Sequence, residues 1–178
     1  MIFNALLTGL LAATAAALPQ PHRARSGEPT AIETRDSGKG GIQIVNNLDT
    51  DVYLWTTSSD EGTMKTLSSG ENYSEDWITN DNGGGISIKM STTQDRDSVL
   101  QFEYYEDHDF FYWDMSSIDL DETSEFVKAG FIAEPSDSSC RSATCEAGDV
   151  ACAESYQNPD DVNTYSCSLG SSFTLTLG

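Results

Sequence analysis

Hydrophobic and polar residues alternate in several short segments between position 42 and the end of the chain. In Ile86-Ser-Ile-Lys-Met90, for example, a strand would place the apolar side chains on one face, with Ser87 and Lys89 on the other. A period of two between turn-forming residues is typical of an antiparallel β-sandwich or barrel, and long helical periodicity is absent. We therefore predict an all-β fold. The predicted strands are Ile42 to Val45, Val52 to Trp55, Tyr73 to Ile78, Ile86 to Met90, Val99 to Tyr104 and Phe173 to Leu177.

The chain begins with an apolar run that ends in small residues at Ala15 and Ala17, ahead of Leu18 and Pro19. This run is too short to cross a membrane, which takes roughly 20 residues. It predicts a signal peptide over residues 1–17, although no basic residue precedes it; a buried N-terminal helix is the alternative. Residues 18–39 lack apolar periodicity and read as a flexible leader or pro-segment. We expect a folded domain over 40–178 and a protein that is extracellular or held in the cell wall.

Four cysteines lie in the last quarter of the chain, at Cys140, Cys145, Cys152 and Cys167. In an oxidising compartment an even number of cysteines predicts two disulfides and no free thiol. A zinc site is the weaker interpretation, because no histidine is nearby and the spacing fits no common zinc site. We expect no metal and no cofactor.

The formal charge of the chain is −20 at pH 7. Residues 1–36 contain three Arg and three carboxylates, so the rest of the chain carries the whole of this charge. Nucleic acid is excluded as a partner, because its binding relies on Lys and Arg at the phosphates. Anionic membranes are disfavoured for the same reason. A polycationic partner or an acidic exterior suits such a surface.

The segment 99–126 mixes aromatic residues with nine carboxylates. Most of these carboxylates are expected on a solvated face, with Phe110, Phe111 and Trp113 more typical of a core. Clustered oxygen ligands also suit Ca²⁺, but the spacing of an EF-hand is absent.

Four segments resemble thaumatin-like proteins, in the same order along the chain. They are IQIVNNLDTDVYLWTTSS from Ile42, LSSGENYSEDW, FFYWDMSSIDL, and CAESYQNPDDVNTYSCSLGSSFTLTL near the C-terminus. The small size and the GGGISIK and QFEY runs resemble the small fungal branch, the secreted yeast-phase-specific or antigenic thaumatin-like proteins. The resemblance implies an antiparallel β-sandwich in which the family's disulfide-rich second domain is largely deleted.

The resemblance also implies a disulfide pairing. Carried over to this chain, the family pattern joins Cys140 to Cys167 and Cys145 to Cys152. Larger relatives join a further cysteine in the first strand to one at the end of the last strand. Those two positions correspond here to Leu48 and Gly178, so both partners are lost together.

Thaumatin-like proteins have a cleft lined by Arg, Glu, Asp and Asp, which is tied to β-1,3-glucan binding and, in some members, weak hydrolysis. The resemblance places these four positions at Lys89, Gln101, Asp114 and Asp119. Aromatic rings in the same segment could stack on sugars or belong to the core. These rings are Tyr104, Tyr105, Tyr112 and Trp113, of which we assign Tyr104 and Trp113 to the cleft.

Hydrolysis of a glycoside needs two carboxyl groups, and Gln101 can serve as neither. We therefore expect a non-catalytic, wall-associated monomer whose ligand is β-glucan or another wall polysaccharide. One alternative is an effector or antigen that binds a host protein. Another is a weak β-1,3-glucan hydrolase that pairs Asp114 with Asp119 or Glu103. Asn72-Tyr-Ser also fits the sequon for N-glycosylation.

Overall fold

The computed structural model describes residues 39–178. The predicted signal peptide and nearly all of the predicted leader lie outside these residues. No helix in the described part of the chain is long and apolar enough to cross a membrane.

Eleven strands and one short helix build the described part of the chain. They are β1 (Gly41–Asn46), β2 (Val52–Thr57), β3 (Lys65–Leu67), β4 (Asn72–Asp76), β5 (Ile86–Ser91), β6 (Leu100–Glu106), β7 (Phe110–Ser116), α1 (Glu125–Ala129), β8 (Phe131–Pro135), β9 (Ala143–Cys145), β10 (Tyr165–Ser168) and β11 (Phe173–Leu177). All six predicted strands are present, each within a few residues of its predicted bounds.

The strands form two sheets. The five-stranded sheet has the order β4-β1-β11-β8-β9, and the six-stranded sheet has the order β10-β7-β6-β5-β2-β3. All pairs are antiparallel except β1 with β11, which run parallel. The predicted β-sandwich is confirmed, with this one parallel pair added to it.

Aromatic side chains fill the space between the two sheets. The indole of Trp77 stacks on Phe102, with ring centroids 5.9 Å apart, and Phe173 from β11 contacts both. Trp77 Nε1 donates to the Ser171 carbonyl at 2.8 Å, so this buried polar atom is satisfied. Trp113 packs between Phe102 and Phe173. Rings of this size bury much apolar area, and the core is therefore anchored by aromatics.

The helix α1 was not foreseen, because five residues are too few to show helical periodicity. Its ends have ordinary capping chemistry: Ser124 Oγ accepts from the Val127 amide, and the Gly130 amide donates to the Phe126 carbonyl. Gly130 has a φ of 82°, and a Cβ there would lie 2.7 Å from the Cys145 carbonyl oxygen. A glycine is therefore required at this turn.

Two disulfides join Cys140 to Cys167 and Cys145 to Cys152, as the resemblance implied. The first bond ties the segment ahead of β9 to β10, the edge strand of the six-stranded sheet. Beside it, Arg141 forms an ion pair with Glu154 at 2.8 Å, and Tyr165 Oη donates to the same carboxylate at 2.9 Å. These contacts hold the C-terminal segment against the edge of the sheet.

The implied loss of a third cysteine pair also has a structural counterpart. A Cβ on Gly178 would lie 3.0 Å from Cδ2 of Leu48, and Asn47 Nδ2 donates to the Gly178 carbonyl at 3.1 Å. The two positions are neighbours, which agrees with their correspondence to bonded cysteines in larger relatives.

Candidate functional site

The outward-facing side of the six-stranded sheet carries a cleft of about 500 Å³. The pairing register of the strands explains which residues line the cleft. Side chains on one face of a strand recur at every second residue, and directly opposed residues on adjacent strands are neighbours. Thr57 opposes Ser87, Ser87 opposes Glu103, and Glu103 opposes Asp114. These four residues, all of which line the cleft, form one polar row across four strands, which we call the carboxyl row.

A second row, two residues along each strand, contains Lys89, Gln101 and Ser116. Lys89 Nζ donates to Gln101 Oε1 at 2.6 Å, and Ser87 Oγ donates to the same oxygen at 3.1 Å. Gln101 is only 5 % exposed, so the Lys89 ammonium is held by a hydrogen-bond acceptor that lies beneath the surface of the sheet. The structure brings together the two residues that the resemblance assigned to the Arg and Glu positions, while Gln101 itself does not line the cleft.

On the other side of the carboxyl row, Tyr105 opposes Tyr112 across β6 and β7. Both tyrosines line the cleft, and Tyr105 is 40 % exposed. Phe110 is 49 % exposed and contacts Tyr112, with ring centroids 6.1 Å apart. Tyr105 and Tyr112, called here the tyrosine pair, give one end of the cleft an accessible aromatic surface.

Burial and mutual repulsion perturb the two acids of the carboxyl row. Burial raises the pKa of Asp114 to about 7, and the negative charge of Glu103 adds to the rise. Burial also raises the pKa of Glu103; the positive charge of Lys89 opposes this rise, and Asp119 reinforces it. In weakly acidic solution Asp114 therefore holds a proton that an ordinary aspartate would have lost.

The second predicted aspartate is not one of the residues that line the cleft. Asp119 is exposed and follows the end of β7, and its carbonyl accepts from the Val99 amide. Its charge still reaches Glu103, which places it near the rim. A spacing of five residues suggested a pair with Asp114, but the strand ends at Ser116 and the chain turns away. The carboxyl partner of Asp114 in the cleft is Glu103.

The prediction that Trp113 and Tyr104 offer stacking surfaces in the cleft is wrong, because both rings are buried. Trp113 is fully buried and packs on Phe102, on the inner face of the sheet. Tyr104 borders the cleft but is 3 % exposed, and its ring packs against Trp77 at 4.6 Å. Neighbouring residues in a strand point to opposite faces, so an outward Asp114 requires an inward Trp113.

Ser87, Thr57 and Thr164 also line the cleft and were not selected as site residues. The alternation of Ser87 with Lys89 in β5 was the available signal, since it placed both on one face. Thr57 and Thr164 gave no signal, because only the sheet brings them to the cleft. Among the described residues no cluster of three or more His, Cys, Asp or Glu could hold a metal ion.

Asn72 lies away from this site, on the edge strand β4 of the other sheet. Its side chain is exposed, as a glycosylated asparagine requires. Modification at Asn72 stays a prediction.

Comparison with known families decides the kinship of the chain. The model of the family described as Blastomyces yeast-phase-specific protein matches residues 31–178. The chain belongs to this family. The sequence is 46 % identical over 179 residues to the "Secreted thaumatin-like protein calA" of Emericella nidulans, covering all of this chain and 98 % of that one. It is also 38 % identical over 151 residues to the "Antigenic thaumatin-like protein" of Arthroderma benhamiae, covering 84 % of this chain and 75 % of that one.

Solved structures support the same assignment. The protein elicitor MoHrip2 from Magnaporthe oryzae matches with a TM-score of 0.65 and 25 % identity, over 78 % of this chain and 98 % of that chain. The thaumatin-like xylanase inhibitor TLXI matches with a TM-score of 0.54 and 14 % identity, over 77 % and 98 %, and shows the fold alone. This member of the yeast-phase-specific family is thus a secreted thaumatin-like protein of the fungal type, as predicted.

Proposed function

We propose that this protein is a non-catalytic lectin of the cell wall, with a β-linked polysaccharide such as β-glucan in the cleft. The observation that supports this best is the arrangement of the tyrosine pair beside the carboxyl row on an open sheet face. Aromatic rings pack on the apolar faces of sugar rings, while carboxylates and hydroxyls accept and donate hydrogen bonds at the sugar edges.

Binding is favoured over hydrolysis by the placement of the acids. Glu103 and Asp114 project from adjacent strands of the same face, so both approach a bound chain from the same side. A glycosidase instead places its two carboxyl groups on either side of the scissile bond. The Lys89 ammonium, held by Gln101, replaces the Arg that the family places there and offers no bidentate fork.

A hydrolase is the second candidate, and one observation favours it. Asp114, with a pKa of about 7, could donate a proton in weakly acidic solution, as the acid of a glycosidase must. Glu103 would then be the base or nucleophile. Release of reducing sugar from soluble β-1,3-glucan, abolished by Asp114→Asn, would establish this activity in place of simple binding.

A protein partner is the remaining alternative, and it draws on the relatives. One solved relative is titled a protein elicitor and one curated relative is named antigenic. Such a role needs no sugar in the cleft. It would be supported if the protein bound no wall polysaccharide at all.

The deciding experiment incubates the purified mature protein with insoluble β-1,3-glucan and measures the protein in the pellet and the sugar in the supernatant. We expect binding without sugar release, and about tenfold weaker binding for the double variant Tyr105→Ala/Tyr112→Ala. Tyr53→Ala is the matched control, because Tyr53 lies on the same face in β2 but does not line the cleft. Equal binding by the double variant, or no binding by the native protein, would overturn the proposal.

A further inference from the structure

The cleft is lined by two adjacent carboxyl groups, Glu103 and Asp114, and, among the described residues, by a single cation, Lys89. Glu103 and Asp114 are directly opposed on antiparallel strands, an arrangement in which like charges are destabilising. Within residues 39–178, no side chain forms a hydrogen bond or an ion pair with the Asp114 carboxyl. Burying an ionised carboxylate without a hydrogen-bond or ion-pair partner is unfavourable, so a ligand that supplied such a partner would be bound favourably.

Lys89 offsets only part of this negative charge: it opposes the rise in the pKa of Glu103, while burial and Glu103 still raise the pKa of Asp114. Its ammonium contacts Gln101 Oε1 at 2.6 Å in the neighbouring row, and it is the one cation among the residues that line the cleft in the described chain. Asp119 adds a further negative charge close enough to act on Glu103. The cleft is therefore negative at neutral pH and can accept a cation from a ligand.

The tyrosine pair restricts what that ligand can be. Tyr105 and Tyr112 lie two residues along their strands from Glu103 and Asp114, a step of about 6.7 Å. This step is close to the width of one sugar ring. A sugar stacked on the tyrosines would therefore place its own substituent, or that of the next sugar, over the carboxyl row. A free metal ion would use the acids but leave the aromatic surface empty.

We propose that the cleft selects polysaccharides of glucosamine with free, positively charged amines over neutral glucans and over chains whose amines are acetylated. This inference rests on the proposed function, since it names the class of polysaccharide for the same cleft. The ammonium would form charge-assisted hydrogen bonds with Glu103 and Asp114, while the ring stacks on the tyrosine pair. Asp114 holds a proton in weakly acidic solution, and binding of the cation would release that proton to the solvent. Acetylation removes the charge and leaves only the stacking.

The experiment compares binding of the full mature protein to chitosan, chitin and β-1,3-glucan in weakly acidic buffer at physiological ionic strength. Chitosan and chitin differ only in acetylation of the amine, so their ratio isolates the contribution of the charge. We expect at least tenfold tighter binding to chitosan than to chitin. The variant Glu103→Gln/Asp114→Asn should reduce this ratio to about one, with its binding to chitin unchanged.

A control must separate this effect from general attraction between an acidic protein and a polycation. Glu134→Gln/Glu146→Gln removes two charges from exposed positions outside the cleft, one of them on β8 of the opposite sheet. This variant should keep the native preference for chitosan. An equal loss in both double variants would overturn the inference, because the preference would then follow net charge.

The outcomes also distinguish this inference from the proposed function. Binding to glucan or chitin without preference for chitosan would leave the proposed function standing and overturn the inference. Loss of chitosan binding in Tyr105→Ala/Tyr112→Ala would support both. Unfolding of the Glu103→Gln/Asp114→Asn variant is monitored by circular dichroism; because that variant loses a like-charge pair, it should be at least as stable as the native protein.

Discussion

The two faces of the six-stranded sheet are built from the same strands and have opposite chemistry. The inner face presents Phe102, Phe111 and Trp113, all without exposed surface, to the other sheet. The outer face presents Glu103 and Asp114 from the neighbouring positions of β6 and β7. Stability therefore depends on one set of residues and the proposed ligand binding on the other, although the two sets alternate along the chain. This separation can be tested one residue at a time.

The largest effect is expected on the inner face, at Trp113. Trp113→Ala would leave a large cavity between Phe102 and Phe173, and such truncations lower the free energy of unfolding by roughly 3–5 kcal/mol. Urea denaturation followed by circular dichroism measures the change. A loss below about 1 kcal/mol would contradict the burial of this side chain.

Next in size is the disulfide at the edge of the six-stranded sheet, where Cys167 opposes the inward-facing Phe111. Cys140–Cys167 spans 27 residues and Cys145–Cys152 spans 7, so the chain-entropy model assigns them about 3.5 and about 2.4 kcal/mol. The serine pair Cys140→Ser/Cys167→Ser should accordingly lower the free energy of unfolding more than Cys145→Ser/Cys152→Ser. The reverse order in denaturation experiments would show that strand β10 is held mainly by other contacts.

Asp114 should make stability fall as the pH rises. Its pKa lies at about 7 in the fold against an ordinary value of 3.8, so the folded state holds this proton more tightly than the unfolded chain. The stabilising contribution is complete below about pH 4 and is lost as the pH rises towards 7. Because Asp114→Asn removes this dependence, the variant should have a higher free energy of unfolding than the native protein at pH 8. The rise in pKa corresponds to roughly 4 kcal/mol, which solvent screening of this partly exposed carboxyl reduces to about 3 kcal/mol, and at pH 4 the two proteins should match more closely.

The measurement for Asp114 is the midpoint of urea unfolding at several pH values between 4 and 8. Glu134→Gln is the control, because this exposed glutamate of β8 lies on the other sheet and should leave the pH profile unchanged. A parallel shift of the Asp114→Asn curve at every pH would refute the raised pKa.

The smallest effect on stability is expected at Tyr112, the outward neighbour of Trp113. Tyr112→Ala removes a half-exposed ring and should change the free energy of unfolding by less than about 1 kcal/mol. The same substitution should weaken polysaccharide binding severalfold. A large loss of stability would show that the outer face also belongs to the core.

The sequence indicates several residues of the candidate site but not which residues face each other across the strands. Lys89 and Asp114 line the cleft as the resemblance implied, and Lys89 contacts Gln101. Two partners for Asp114 were open, Asp119 five residues along the chain and Glu103, and the structure places Glu103 opposite Asp114 on the next strand. Distance along a strand says little about neighbours across it, because those depend on the register of the pairing.

The sequence does not show which aromatic side chains face the core and which face the cleft, because aromatic residues at consecutive positions mask the alternation between the two faces of a strand. Tyr104-Tyr105 and the run from Phe110 to Trp113 contain rings on both faces of the sheet. Hydrophobicity alone does not separate an inward ring from an outward one, and the loop between Glu106 and Phe110 changes which sequence parity faces inward. The selection of Trp113 and Tyr104 over Tyr105 and Tyr112 was wrong for this reason.

The sequence by itself determined the class of fold, the oxidising compartment and the strands whose alternation is regular, such as β5. These properties follow from local periodicity and from the apolar N-terminal run with an even number of cysteines, which can be read from the chain before it folds. The tertiary structure alone decided that Glu103 faces Asp114 and that two tyrosines flank them. Those relations arise from hydrogen-bonded register between strands, a property that exists only once the sheet has formed.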